Sequence, residues 1–180
     1  MTETIPDETV MLNIKNGNLA EMSVLFERYH VRLFNFFLKM GLSRDTSQDL
    51  TQNLFYRMIK YRHSYKNGNP VKAWIYQIAR NLHADFCRKQ RKDDELFKLT
   101  ETFSGDLAEE TGDYIEEDFE RLSRAFSELG DAQKEIIILS RYQGLKYSEI
   151  SLIINQSVPA IKVAMHRAIK QLRNIYMKQL

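Results

Sequence analysis

Five side chains that can carry positive charge, Lys162, His166, Arg167, Lys170 and Arg173, recur along one side of the stretch YSEISLIINQSVPAIKVAMHRAIKQLR, from Tyr147 to Arg173. Groups of this kind donate charge-assisted hydrogen bonds, and a row of them on one helix face suits a polyanion. Catalytic chemistry has less to work with. His30, His63, His83 and His166 form no HExxH-type metal spacing with the acidic residues, and no Gly-rich loop is placed to cradle phosphates. Cys87 is the single cysteine, which excludes an intrachain disulfide and a multi-thiolate metal site and points to a reducing compartment. No catalytic residue, metal ligand or cofactor is therefore expected, and the expected chemistry is recognition.

Two helices and a tight turn must position these cations. Ile150, Ile153 and Ile154 repeat at helical spacing in the first, and Asn155 falls where a left-handed residue would end it. Ser157 is placed to cap the second helix, and Pro159 sits in its first turn, where a missing N–H is harmless. Ile161, Met165, Ala168 and Leu172 then form one buried stripe with the cations beside it. This is the pattern of a helix-turn-helix whose second helix enters the DNA major groove. An ordinary helical hairpin with a solvated basic face has the same pattern.

The net charge of +2 hides strong blocks. Residues 61–92 hold eight basic side chains (Arg62, Lys66, Lys72, Arg80, Arg88, Lys89, Arg91, Lys92) against Asp85 alone. Residues 93–120 hold twelve acidic side chains against Lys98, and residues 121–180 return to ten basic against four acidic. Two basic blocks around an acidic one indicate a polyanion partner and a solvated linker. The acidic stretch, with Gly105, Gly112 and weak periodicity, reads as flexible. No signal pattern and no membrane-length apolar run is present, so a soluble, cytoplasmic protein is expected.

No segment alternates with period two, which predicts an all-α fold: two small helical domains, residues 1–92 and 119–180, joined by an acidic linker at 93–118. Val10, Met11, Leu12 and Ile14 could start a short helix, and Asn18 with Glu21 resembles a capping box for the next. Ser43 is a candidate cap for a third helix with Leu50, Leu54, Phe55, Met58 and Ile59 inward. After the turn-rich loop Tyr65–Pro70, a helix is predicted from Val71 to Lys92, with Trp74, Ile78, Leu82 and Phe86 in an i, i+4 ladder. Rings and cations interleave there (Tyr61, Tyr65, Trp74, Tyr76, Arg80, His83, Arg88, Lys89), a mixture suited to single-stranded nucleic acid. A tryptophan at helical spacing is equally at home in a core. A further helix is predicted from Glu117, and another capped by Asp131 and ended by Gly144.

Three segments in this order, SQDLTQNLFYRM (47–58), VKAWIYQIARNLHADFCRK (71–89) and LSRYQGLKYSEISLIINQSVPAIKVAMHRAIKQL (139–172), resemble bacterial RNA polymerase sigma factors of the sigma-70 family. The extracytoplasmic-function group, which keeps only the second and fourth sigma domains, is the nearest in pattern. Trp74-Ile75-Tyr76 with Ile78-Ala79-Arg80-Asn81 carries much of that likeness. The resemblance implies a promoter-specificity subunit with no catalysis of its own, whose partners are core RNA polymerase, promoter DNA and, in some cases, an anti-sigma factor. It implies core-polymerase contacts from Asp49, Leu50, Gln52, Asn53, Phe55 and Tyr56. It implies melting and holding of the −10 element by Lys66, Asn67, Asn69, Trp74, Tyr76, Arg80, Asn81, His83, Arg88 and Lys89, with a flipped base near the loop. Ser157, Pro159, Ala160, Lys162, Val163, His166, Arg167 and Lys170 would meet the −35 duplex. The acidic linker would thread toward the polymerase cleft.

Three positions depart from the common pattern: Asn53 where Glu is frequent, Lys146 where Ser is, and Ala164 where Arg is. Lys146 cannot cap as Ser would, so a shift of the cap to Ser148 is expected. Ala164 removes a DNA contact implied by the resemblance. Two other functions fit parts of the pattern: a stand-alone helix-turn-helix regulator, which would bind duplex tightly by itself, and a helical adaptor for an acidic partner, which would show no salt-dependent DNA affinity.

Overall fold

The computed structural model describes residues 5–97 and 114–179, and those residues form eight α-helices with no strand among them. In chain order they are α1 (Asp7–Lys15), α2 (Met22–Lys39), α3 (Arg44–Lys60), α4 (Val71–Phe97), α5 (Tyr114–Ser127), α6 (Asp131–Ile137), α7 (Tyr147–Ile154) and α8 (Val158–Lys178). The all-α expectation holds. The central part of the expected linker, 98–113, lies outside the described residues, while both of its ends are helical: α4 runs on to Phe97, and α5 starts at Tyr114.

The first four helices close around one apolar interior. Val10, Met11 and Ile14 of α1, Leu25, Leu33, Phe36 and Phe37 of α2, Leu54 and Met58 of α3, and Val71, Ile75, Ala79 and Leu82 of α4 are all buried. Their spacing in each helix is the i, i+3, i+4, i+7 stripe of an amphipathic element. α8 provides the spine of the second half, packing against α5, α6 and α7. Ile161, Met165 and Ala168 face inward there, as the spacing predicts.

Local details decide several boundaries. Ser43 caps α3, its hydroxyl accepting the Thr46 N–H. Asn18 does not cap α2 with its side chain. A 3₁₀ turn, Leu19–Glu21, intervenes, and Glu21 instead accepts from the amides of both Asn13 and Asn18. Gly130, not Asp131, occupies the N-cap of α6. Its N–H donates to the Gln133 side chain, and Asp131 becomes the first helical residue, where its charge still suits the dipole. The cap of α7 stays at Lys146 and does not move to Ser148, because Glu149 accepts the Lys146 N–H at 2.7 Å. That is the carboxylate half of a capping box, sufficient without a hydroxyl at the cap.

After α6 the chain takes a wider π turn, Ile138–Tyr142, with the Gln143 N–H reaching back to the Ile138 carbonyl at 2.9 Å. Ile136, Ile137, Ile138 and Leu139 are all buried, so the chain is covered on most sides where α6 passes into this turn. Tyr142, predicted on the apolar side, is instead half exposed, with the Lys39 ammonium 4.1 Å from its ring centre.

Candidate nucleic-acid interface

The helix-turn-helix forms as its residues require. Asn155 adopts the left-handed conformation (φ 57°, ψ 48°) that ends α7. The Ser157 hydroxyl accepts the Ala160 N–H to start α8, with Pro159 in the first turn. Ser157 at the cap and Pro159, Ala160, Lys162, Val163, His166, Arg167 and Lys170 on the first four turns of α8 are all exposed, so the eight predicted −35 residues are accessible. Ala164 is half buried against the core, at the edge of the inward stripe.

The predicted core-polymerase set divides in two. Asp49, Gln52, Asn53 and Tyr56 are exposed and lie at i, i+3, i+4 and i+7, a single face of α3. Leu50 and Phe55 point inward; Phe55 packs on Phe26 with ring centres 4.9 Å apart. They shape the face from beneath rather than present one. Phe26, read from sequence as core, is partly exposed beside that face and stacked on His30.

The −10 set is the most divided. Lys66, Asn67 and Asn69 are exposed in the loop before α4, with Gly68 between them at φ +87°, a conformation that favours glycine. Trp74 is half buried, its ring edge-to-face with Tyr65 at 5.6 Å, and it lines a cavity of about 410 Å³ with Ser64, Lys66, Asn69, Gln77 and Leu152. Asn81, Arg88 and Lys89 are exposed, Arg88 paired with Asp85. Tyr76 and His83 are not on the surface. Both face inward, Tyr76 between Phe36 of α2 and Gln143 and His83 between the Met40 carbonyl and Asp131. The second half of the chain thus completes a cover the first half begins, which the periodicity of α4 alone could not reveal.

That packing has specific polar contacts. The Tyr76 hydroxyl donates to Gln143 Oε1 at 2.6 Å, Gln143 Nε2 donates to the Arg32 carbonyl at 3.4 Å, and Lys72 Nζ donates to the Gln143 carbonyl at 2.7 Å. Arg80 Nε donates to Glu135 Oε1 at 2.9 Å. Burial raises the Glu135 carboxyl above its usual range, and the Arg80 guanidinium opposes the rise. Burial lowers the Lys72 ammonium and raises the Tyr76 phenol. Glu135 lies in none of the three quoted segments, Gln143 lies in the third but has no role implied for it there, and their partners are 55 and 67 residues away.

His83 is buried beside the Met40 carbonyl, with Cys87 Sγ 3.6 Å from its Nε2. Burial holds its pKa below the ordinary 6.5, with the Asp131 carboxylate and the Met40 carbonyl pulling weakly the other way. The unfolded chain therefore takes up this proton first, and stability present above about pH 6.5 is lost as the pH falls. Thermal unfolding followed from about pH 7.5 to 5.5 should show a falling Tm, and His83→Gln should flatten that slope. An unchanged slope in the variant would show that another group sets it.

Among the described residues, no helix is long and apolar enough to cross a membrane. Residues 25–93 match the family model for Sigma-70 region 2, and residues 119–172 match that for Sigma-70, region 4. The chain is 30% identical over 155 residues to the ECF RNA polymerase sigma factor SigM of Bacillus subtilis, the match covering 84% of this chain and 93% of SigM. Two solved structures share the fold. CnrH, in complex with the cytosolic domain of CnrY, superposes with a TM-score of 0.75 at 18% identity, covering 97% of this chain and 99% of that one. RpoE, in complex with the anti-sigma factor NepR from Bartonella quintana, gives 0.68 at 23% identity, covering 85% and 94%. With both sigma-70 regions in order and SigM matched over nearly its whole length, the chain belongs to the ECF RNA polymerase sigma factors, which direct promoter recognition at the start of transcription.

Proposed function

We propose that this sigma factor divides its work among three surfaces, with residues 1–92 and 119–180 acting as two domains. The exposed face of α3 (Asp49, Gln52, Asn53, Tyr56) docks core RNA polymerase. The first turns of α8 enter the −35 major groove. The loop Lys66–Asn69 and α4 hold the displaced −10 strand, and the cavity beside Trp74 receives an extruded base. That cavity is the observation that carries the reading: Trp74, Asn69, Gln77 and Lys66, with Leu152 of α7, line a space of about 410 Å³ and bring an aromatic ring, two amides and a cation to one place. Stacking on a ring and hydrogen bonding to base edges are what a base taken out of the helix requires.

The chain contributes no catalytic group; bond formation belongs to the polymerase, so its place of action is the cytoplasm. By analogy with RpoE, an anti-sigma factor is a further partner. Tyr76 and His83 serve as interior supports of α4 in the packed form, and Leu50 and Phe55 do the same for α3.

Run-off transcription with core polymerase on a pool of genomic promoter fragments tests the reading. Transcripts that depend on the added protein are the expected result; their absence, together with no binding to core, would overturn it. Tyr56→Ala should lower affinity for core about tenfold to hundredfold, the range of an exposed aromatic anchor, while Tm stays within a degree or two. Co-sedimentation of the variant with core at graded concentrations measures this. Unchanged affinity would remove α3 from the interface.

A further inference from the structure

We propose that α1, which lies outside both matched sigma regions, is a brace that sets the position of the −10 loop through Lys15 and Glu8. The inference rests on the reading of that loop given above. All four loop residues, 66–69, are exposed, so the loop has little burial of its own to hold it. Fixing each residue costs backbone entropy, so a loop that must present one geometry needs its ends held.

Both ends are held from α1. At the entry, Lys15 Nζ donates to the Tyr65 carbonyl at 2.7 Å and reaches Asn67 Oδ1 at 3.5 Å. At the exit, Pro70 stands at the cap of α4, its carbonyl accepting the Trp74 N–H. Proline has no side-chain oxygen with which to satisfy the first amides of a helix. Glu8 does so from across the fold: its Oε1 accepts the Val71 N–H at 3.2 Å, and its charge sits at the positive end of the α4 dipole. Between the two ends, the Tyr65 hydroxyl donates to the Asn69 carbonyl at 2.7 Å, and the Tyr65 ring meets Trp74.

The brace is itself anchored. Val10, Met11 and Ile14 are buried, Asp7 pairs with Arg28 and accepts from the Tyr29 hydroxyl, and Arg28 Nη1 donates to the Ile5 carbonyl at 2.9 Å. Neither Lys15 nor Glu8 lines the Trp74 cavity, whereas Lys66, Asn69 and Pro70 do. Lys15 and Glu8 are therefore positioning residues. They set where the rim of the cavity stands, and hence which bases fit, without touching DNA.

The test measures base selection by holoenzyme, reconstituted from core polymerase and the full chain. Binding to pre-melted promoter fragments that differ by single bases in the −10 element is compared for wild type, Lys15→Met, Lys15→Arg, Glu8→Gln and Asn69→Ala. Lys15→Met should reduce discrimination between preferred and substituted bases about tenfold, the scale of one charge-assisted hydrogen bond, and Glu8→Gln, which keeps the acceptor but loses the charge at the α4 terminus, about threefold. Affinity for core should be unchanged, and Lys15→Arg should restore most of the discrimination. A merely structural role for α1 would lower Tm and total activity but leave the base preference intact. Wild-type discrimination in Lys15→Met and Glu8→Gln, with Asn69→Ala relaxed, overturns the brace alone. Wild-type discrimination in Asn69→Ala as well overturns the loop reading, and the brace falls with it.

Discussion

Trp74→Ala should cut binding of holoenzyme to single-stranded −10 DNA by about fivefold to 150-fold, the worth of one base stacked on a ring. Trp74 is only half buried, so its loss exposes the Tyr65 edge but leaves Ile75, Ala79 and Leu82 to hold α4 in the core. The defect should therefore show in binding and promoter opening before it shows in folding. Trp74→Phe, which keeps a ring face, should recover much of the affinity. Phe36→Ala is the contrasting variant. Phe36 is fully buried, edge-on to both Phe37 and Tyr76, and its truncation should cost about 3–5 kcal/mol of stability. If Trp74→Ala unfolds like Phe36→Ala, the ring is a core residue and the cavity loses its role.

Arg167→Ala should weaken promoter binding that depends on the −35 element by about tenfold to 150-fold, the range for one side chain that reads a base edge. Arg167 is exposed on the third turn of α8, one residue beyond His166 and four from Val163. Its loss should leave Tm nearly unchanged, since its side chain is exposed. Two outcomes separate base reading from phosphate contact. A loss confined to certain −35 sequences marks a base contact. A uniform loss with a shallower salt dependence marks a phosphate contact. Full activity on every promoter would remove Arg167 from the interface.

How much of this could be read from the residues alone follows from how local each feature is. The turn at Asn155, the cap at Ser157 and the stripe Ile161, Met165, Ala168 are set by neighbours within a few residues, and all three stand as the spacing predicts. The cap of α7 stands at Lys146 and not at Ser148, because the local acceptor that fixes it is Glu149, the third helical residue, and not the cap residue's own side chain. Tyr76 and His83 were beyond reach for a different reason. Their burial is completed by packing of the second half of the chain on α4, and a helix with rings on several faces does not announce which face a distant segment will cover. Lys15 and Glu8 were missed on the same ground, because their partners lie 50 and 63 residues downstream.

The π turn that aims Gln143 at α4 also has a price in availability. Each contact it supports, to Tyr76, to Lys72 and to the Arg32 carbonyl, joins the two halves of the chain, and a DNA strand seeking the inner side of α4 must compete with them. Those three hydrogen bonds alone, at about 0.5–1.5 kcal/mol net each, would hold the open fraction to about one part in ten to one part in a thousand, and the Arg80–Glu135 pair and the packing of α7 on α4 lower it further. Apparent affinity for a strand needing the open form falls by that same fraction. On the proposed −10 role of α4, the turn that carries Gln143 would thereby set a threshold that polymerase and promoter together must exceed.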